Sequence, residues 1–443
     1  GIKNASSIKY FYATVCFALF LVSILFMFVQ VPSFLKFNLP TEIALGNRIS
    51  LNITKNAVQE STKNMLLGQG PSSFSRLFSL YKAAEFNSLN PYWSLKFVQP
   101  RSEILAIIAE VGILSALAFV SFILICIAFV VIHIKNIKKE ILYDGDGTKI
   151  KRLALFAVFA ALSMAMFIVS FQVVLWLLWW ALFAAVAMSF QPEKFANNSV
   201  IAIDLHESPQ YNLSLSFITV LVFITLVAFG TYLGRIYAAE VSYAKAVRTQ
   251  GLPVQEKVNL LTKSVEYRNS YTPYRLALAQ IALEEALRLS DSKVQTEKDA
   301  AGNLYNYSVA QARVAAELNP KNVDTWRILA VMYGYALKVS PDVAGLALNA
   351  LEKATNLEPS NPIFYNQKAN IYAFQGKDAE AQANYRKAIE QKPDLLLSYQ
   401  NYASYLFAIN KLNESIDVLA SAYQYANGNI DYLLSMSSLY IRR

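Results

Sequence analysis

Three phrases recur in the second half of the chain: AAELNP at 315–320, ATNLEP at 354–359 and AIEQKP at 388–393. Their closing prolines, Pro320, Pro359 and Pro393, stand 39 and 34 residues apart. A proline cannot continue a helix without losing a backbone hydrogen bond, so each phrase marks the end of a helical stretch. Between the prolines, large and small residues fall at helical spacing. The last interval carries Tyr365, Ala369, Tyr372, Ala381, Tyr385 and Ala388. The one before carries Trp326, Leu329, Ala330, Tyr333, Ala347, Leu351 and Ala354, with five extra residues around SPDVAG. One supersecondary unit is therefore repeated, and such units bury their apolar faces by stacking on one another.

A 34-residue period with this pattern and a closing proline resembles the tetratricopeptide repeat. Residues 396–429 supply another copy, with Tyr399, Ala403, Leu406 and Ala422. Upstream, 271–322 reads as a degenerate copy with an insertion near SDSKVQTEKDAAGN, and 236–270 as a further helical pair. The resemblance implies about five repeats over 235–443, a short superhelix whose concave face takes a protein partner. This half holds 23 basic and 20 acidic residues, a balance that excludes nucleic acid as a partner.

The first half has another character. The whole chain is 55% hydrophobic with mean hydropathy +0.31, and the apolar excess lies in 10–233. A bilayer core needs about 20 apolar residues of helix, and five stretches are expected to span: 10–29, 104–133, 153–170, 173–190 and 213–233. The uncharged run Leu153–Phe190 divides at Ser170-Phe171-Gln172 into a hairpin. Segment 134–152 carries Lys135, Lys138, Lys139, Lys149, Lys151 and Arg152, which assigns it to the cytoplasm. Loop 30–103 and the repeats 235–443 then face the extracytoplasmic side. The fold class is all-α: a polytopic membrane domain over 1–234, in a bacterial cytoplasmic membrane, followed by an extracytoplasmic α-solenoid. The chain opens at Gly1 and ends at LYIRR, and it reads as part of a longer protein. Cys16 and Cys126 lie inside apolar runs and His133 and His206 lie far apart, so neither a disulfide framework nor a metal site is expected.

Segment 31–103 has eight basic residues against four acidic ones, a balance suited to an anionic ligand. Pro100 blocks helix upstream of Ser102, a suitable N-cap, and Glu103 stands in the first turn where the helix dipole favours a carboxylate. A continuous helix from Ser102 would stand about 15 Å above the hydrocarbon before entering it. Arg101 at that helix start needs an anion nearby, and backbone N–H groups beside a guanidinium suit a phosphate.

Taken together, RISLNITKNAVQES (48–61), LLGQGPSSF (66–74), NPYWSLKF (90–97) and PRSEILAIIAEVGIL (100–114) resemble the external loop of the O-antigen ligase and polymerase superfamily. The resemblance covers about 40–120. It implies a glycosyltransferase that moves a glycan from an undecaprenyl-pyrophosphate carrier to an acceptor glycan, lipid or protein, with no metal or cofactor. Arg48 falls on the family arginine and would bind the pyrophosphate. Gly68 and Gly70 fall on its glycines, and Lys96 with Trp93 on its W-x-x-K-F element. Arg101 stands where the family places histidine and Ser102 where it places asparagine. No histidine occurs in 30–112, so Glu103 is the nearest candidate base and Arg101 a second pyrophosphate ligand. Glu110, two turns on, is expected to pair with a neighbour. The missing histidine leaves a rival reading, a non-catalytic membrane scaffold whose working part is the solenoid.

Overall fold

The computed structural model describes residues 43–137, 148–189, 209–337, 340–426 and 428–442. The expected first span, 10–29, and residues 138–147 of the basic segment lie outside them. Contacts divide the chain after Ala44, and every described helix belongs to the second unit, Leu45–Arg443. Among the described residues every regular element is helical.

The loop region folds as α1 (Asn47–Gln59), α2 (Thr62–Leu67) and α3 (Phe74–Tyr81), then a 3-10 turn Ala84–Phe86 and an extended stretch leading to α4 (Glu103–Val111). Its core is Leu45, Ile53, Ala57, Phe74, Leu77, Phe78 and Ala109, with Phe86 and Phe97 packed edge-on against Phe78. Ser102 caps α4 as expected, its Oγ accepting the Leu105 N–H at 3.4 Å.

The stretch 104–133 is not one helix. Gly112, at φ 95°, ends α4 with its N–H on Ile107 O (3.0 Å), and α5 (Ile113–Ile137) starts afresh. A left-handed glycine stops a helix because the next N–H groups turn back onto the last carbonyls. The expected 15 Å rise is therefore replaced by a fold-back. Glu103 from α4 and Phe119 from α5 both reach Trp176.

The uncharged run forms the expected hairpin, α6 (Thr148–Ala165) and α7 (Val173–Ser189), with its turn at 166–172. It packs with α5 around Ile123, Phe159, Met166, Phe171, Trp179 and Val186. The Trp179 indole donates to Ser163 Oγ at 2.9 Å, so a polar group inside this apolar cluster is satisfied. α8 (Pro209–Arg248) is a single helix of 40 residues, about 60 Å long. From Leu213 it is the one helix among the described residues long and apolar enough to cross a membrane; Ile113–Phe129 and Val173–Ser189 are shorter apolar helices. The end of α8 becomes the first helix of the repeats without a break, burying Ala239 and Ala246.

The remaining helices pair: the end of α8 with α9 (Val254–Tyr267), α10 (Thr272–Ser290) with α11 (Gln295–Leu318), α12 (Val323–Ala336) with α13 (Ala344–Leu357), α14 (Pro362–Phe374) with α15 (Asp378–Gln391), and α16 (Leu396–Ala408) with α17 (Leu412–Ser421); α18 (Ile430–Arg442) follows. The small residues do what the pattern requires: Ala330, Ala347, Ala354, Ala369, Ala381 and Ala388 are buried between helices. First helices of successive pairs touch one another, α10 with α12, α14 with α16 and α16 with α18, while second helices pack on their own partner and the first helix that follows. The first helices thus form the tighter, inner layer of the array.

Three successive repeats start with the same device. Trp326 Nε1, Tyr365 Oη and Tyr399 Oη donate to the carbonyls of Pro320, Pro359 and Pro393 at 2.8, 2.8 and 2.9 Å. The proline that ends one unit is thereby tied to the aromatic that opens the next.

Candidate functional site

The four loop segments singled out in the sequence do come together. Arg101 N–H donates to Ser50 Oγ at 2.9 Å, which ties the start of α4 to the first turn of α1, two residues from Arg48. Arg48 is exposed and Arg101 half-buried. Among the described residues neither guanidinium pairs with a carboxylate.

Glu103 is buried, and both its oxygens are engaged: Oε2 accepts the Phe171 N–H (2.6 Å) and Oε1 the Trp176 indole (3.2 Å). Its own N–H donates to Met166 O (2.9 Å) and Val169 O (3.1 Å). Burial pushes the carboxyl above its ordinary value, and the bonds from the Phe171 N–H and the Trp176 indole oppose the rise. The arrangement clasps α4 to the α6–α7 turn.

Gly68 and Gly70 take left-handed φ values of 71° and 98°. The segment they frame lies on the end of α4, with Gln69 N–H on Ala109 O (3.0 Å) and Gly70 N–H on Glu110 O (2.8 Å). A Cβ at Gly68 would overlap the Glu110 backbone, one at Gly112 the Leu66 carbonyl, whereas one at Gly70 would meet open space. Glu110 finds partners, but in the backbone: Oε2 accepts from Ser72 N–H (2.9 Å) and Oε1 from Phe74 N–H (3.2 Å), at the start of α3. A carboxylate suits that end of a helix.

Lys96 points away from the other candidates. Its Nζ lies 2.6 Å from Asp324 Oδ2, at the start of α12. Burial pushes the Asp324 carboxyl up, but Lys96 and Arg327 beside it outweigh this and hold it below its ordinary value. This pair is one end of a contact that sequence reasoning missed, in which the loop lies against the inter-repeat turns. Lys82 Nζ forms a buried pair with Glu358 Oε1 (3.3 Å) and donates to Trp93 O (3.1 Å). Asn87, fully buried, donates through Nδ2 to Ser360 O (2.7 Å) and Gln391 O (3.2 Å). Lys392 Nζ returns a bond to Asn87 O (2.6 Å) and pairs with Asp394 (2.8 Å). Trp93, of the W-x-x-K-F element, has the Lys82 and Lys392 ammonium groups 5.9 and 5.5 Å from its ring centre. Burial draws the Lys82 ammonium below its ordinary value, opposed by Glu358.

Tyr335 and Phe374, each the thirteenth residue of its first helix, are half exposed at equivalent positions.

No family model matches this chain, and no curated protein matches it. Solved structures do. The chain is similar to TTC0263, a thermophilic TPR protein in Thermus thermophilus, at 16% identity over 46% of this chain and 100% of that one, with TM-score 0.35. It is similar to YrrB, a TPR protein with an unusual peptide-binding site, at 14% identity over 49% and 97%, with TM-score 0.34. MamA from Desulfovibrio magneticus RS-1 matches at 13% identity over 44% and 97%, with TM-score 0.35. The repeat assignment itself rests on the helix pairs and on the three aromatic-to-proline bonds.

Proposed function

We propose that this chain is a membrane-anchored tetratricopeptide scaffold that presents its inner groove to a protein partner outside the cytoplasm. The observation that carries this reading is the way the loop meets the repeats. Lys82, Asn87, Trp93 and Lys96 engage the turns at one edge, while Tyr335 and Phe374 on the first helices stay uncovered. α8 anchors the first repeat, and α5 to α7 supply the further spans of a multi-pass anchor in a bacterial cytoplasmic membrane. Exposed aromatic side chains in a groove are the residue types that supply most binding energy at protein interfaces. The test is co-purification of the partner from native membranes. Tyr335→Ala with Phe374→Ala should lower recovery at least tenfold while Arg101→Ala leaves it unchanged; equal recovery with all three proteins would reject the groove.

A second reading, glycan transfer from an undecaprenyl-pyrophosphate carrier, is favoured by one observation: the Arg101 backbone is bonded to Ser50, two residues from Arg48, and among the described residues neither guanidinium has a carboxylate partner. In it both arginines bind the pyrophosphate, with Gly68, Gly70 and Lys96 as the remaining substrate contacts the resemblance implies, and Glu103 as base. Against it, the Glu103 carboxylate is occupied on both oxygens and Lys96 is paired with Asp324. Radiolabelled glycan transfer that disappears in Arg101→Ala would establish this reading over the first.

A further inference from the structure

A stacked-repeat array contacts only its neighbours, so its pitch is the sum of independent neighbour interfaces. Here one segment from outside the array reaches three successive inter-repeat turns. Lys96 meets Asp324, just past the Pro320 turn, Lys82 and Asn87 meet Glu358 and Ser360 at the Pro359 turn, and at the Pro393 turn Asn87 donates to Gln391 O and accepts from Lys392 Nζ. The Asn87 amide is the centre of this contact: a single buried NH2 group bridges carbonyls of two consecutive turns, 2.7 and 3.2 Å away. If the two turns moved apart, one of those buried carbonyls would lose its donor, and an unsatisfied buried acceptor is strongly unfavourable.

We infer that the segment from Lys82 to Phe97 is a strut that fixes the spacing of three repeats and thereby couples the pitch of the groove to the loop fold of residues 45–112. The other end of the strut is built into that fold, because Phe97 and Phe86 pack on Phe78 of α3 at 5.3 and 5.6 Å. An occupant of the groove that prefers a different pitch works against the strut, and by reciprocity anything that displaces the loop changes affinity in the groove.

The experiment is hydrogen exchange by mass spectrometry on the full chain in detergent or nanodiscs. Each turn holds an internal amide bond that serves as reporter: Asn322 N–H to Asn319 O, Asn361 N–H to Glu358 O and Leu395 N–H to Lys392 O. The Tyr271 N–H to Arg268 O bond, in a turn for which no loop contact is described, is the internal control. In Asn87→Ala, exchange at Asn361 and Leu395 should rise together by about tenfold, with the control unchanged. In Lys96→Ala, whose ion pair is partly exposed and whose loss leaves the buried contacts in place, only the Asn322 turn should respond. Unchanged exchange at Asn361 and Leu395 in Asn87→Ala overturns the strut, and so does a uniform rise that includes the control. The outcome is read without a groove ligand, so failure of the strut and failure of the scaffold reading are separate results.

Discussion

Replacing Gly68 by alanine tests whether the glycines of the loop pack the backbone or cradle a ligand. An L-residue in the left-handed region is unfavourable by about 1–2 kcal/mol, and Gly68 sits at φ 71°. The added Cβ would also overlap the Glu110 backbone, so the 68–70 segment must lift off α4. Lifting breaks Gln69 N–H to Ala109 O and Gly70 N–H to Glu110 O, each about 1 kcal/mol. The sum is about 3–4 kcal/mol. Gly70 has the same backbone problem at φ 98° but open space around its Cβ, so Gly70→Ala should lose only about 1–2 kcal/mol. The two variants therefore differ by about 2 kcal/mol, a factor of about thirty in local opening. Exchange of the amides of residues 69 and 70, and of 105–112, measures that opening directly. If Gly70→Ala proves as damaging as Gly68→Ala, close packing against α4 is not what the motif serves, and a ligand held by the Gly70 backbone becomes the better account.

Three further outcomes rest on the same contacts. Lys82→Met and Glu358→Leu should each destabilise the loop–repeat contact by about 3–5 kcal/mol, because each strands a buried partner; combining the two should lose less than the sum, as a thermal-unfolding double-mutant cycle would show. Trp326→Phe, Tyr365→Phe and Tyr399→Phe should each lose about 1 kcal/mol, with faster amide exchange confined to the turn before the altered residue. For Asp324 the folded value lies below the ordinary 3.8, so its contribution is complete above that pH and fades as the pH falls through the lower folded value. The Asn322 turn should loosen over that acid range in the native chain, and Asp324→Asn should abolish the pH dependence.

The repeats were legible in the sequence because their physics is local. A proline stop, an alanine at each close helix approach and an aromatic at each start recur at a fixed period, and Pro359, Ala369 and Tyr365 occupy the places that the period assigns. The loop's contact with the repeats was not legible. Lys82, Asn87 and Lys392 meet across 276 to 305 residues, and their polar side chains follow no period. The break at Gly112 left a signal, a glycine after the last turn of α4, but the apolar run continues beyond it and hydropathy alone reads straight through. Glu103 was correctly placed at a helix start. That both its oxygens would be taken by Phe171 and Trp176 depended on how the hairpin turn packs, which hydrophobicity does not encode. The place of Trp93 depends on Lys82 of the loop and Lys392 of the Pro393 turn, whose positions beside its ring no periodicity marks.

The most direct test of the scaffold reading is site-specific photocrosslinking in living cells. A photoreactive residue replaces Tyr335 or Phe374 in the groove and, as the control, Arg386, which is exposed on a second helix. The account predicts one discrete protein adduct from both groove positions, none from Arg386, and loss of the Phe374 adduct when Tyr335→Ala is added. Adducts equally abundant from Arg386, or a groove that yields none while Arg101-dependent glycan transfer is present, would contradict it.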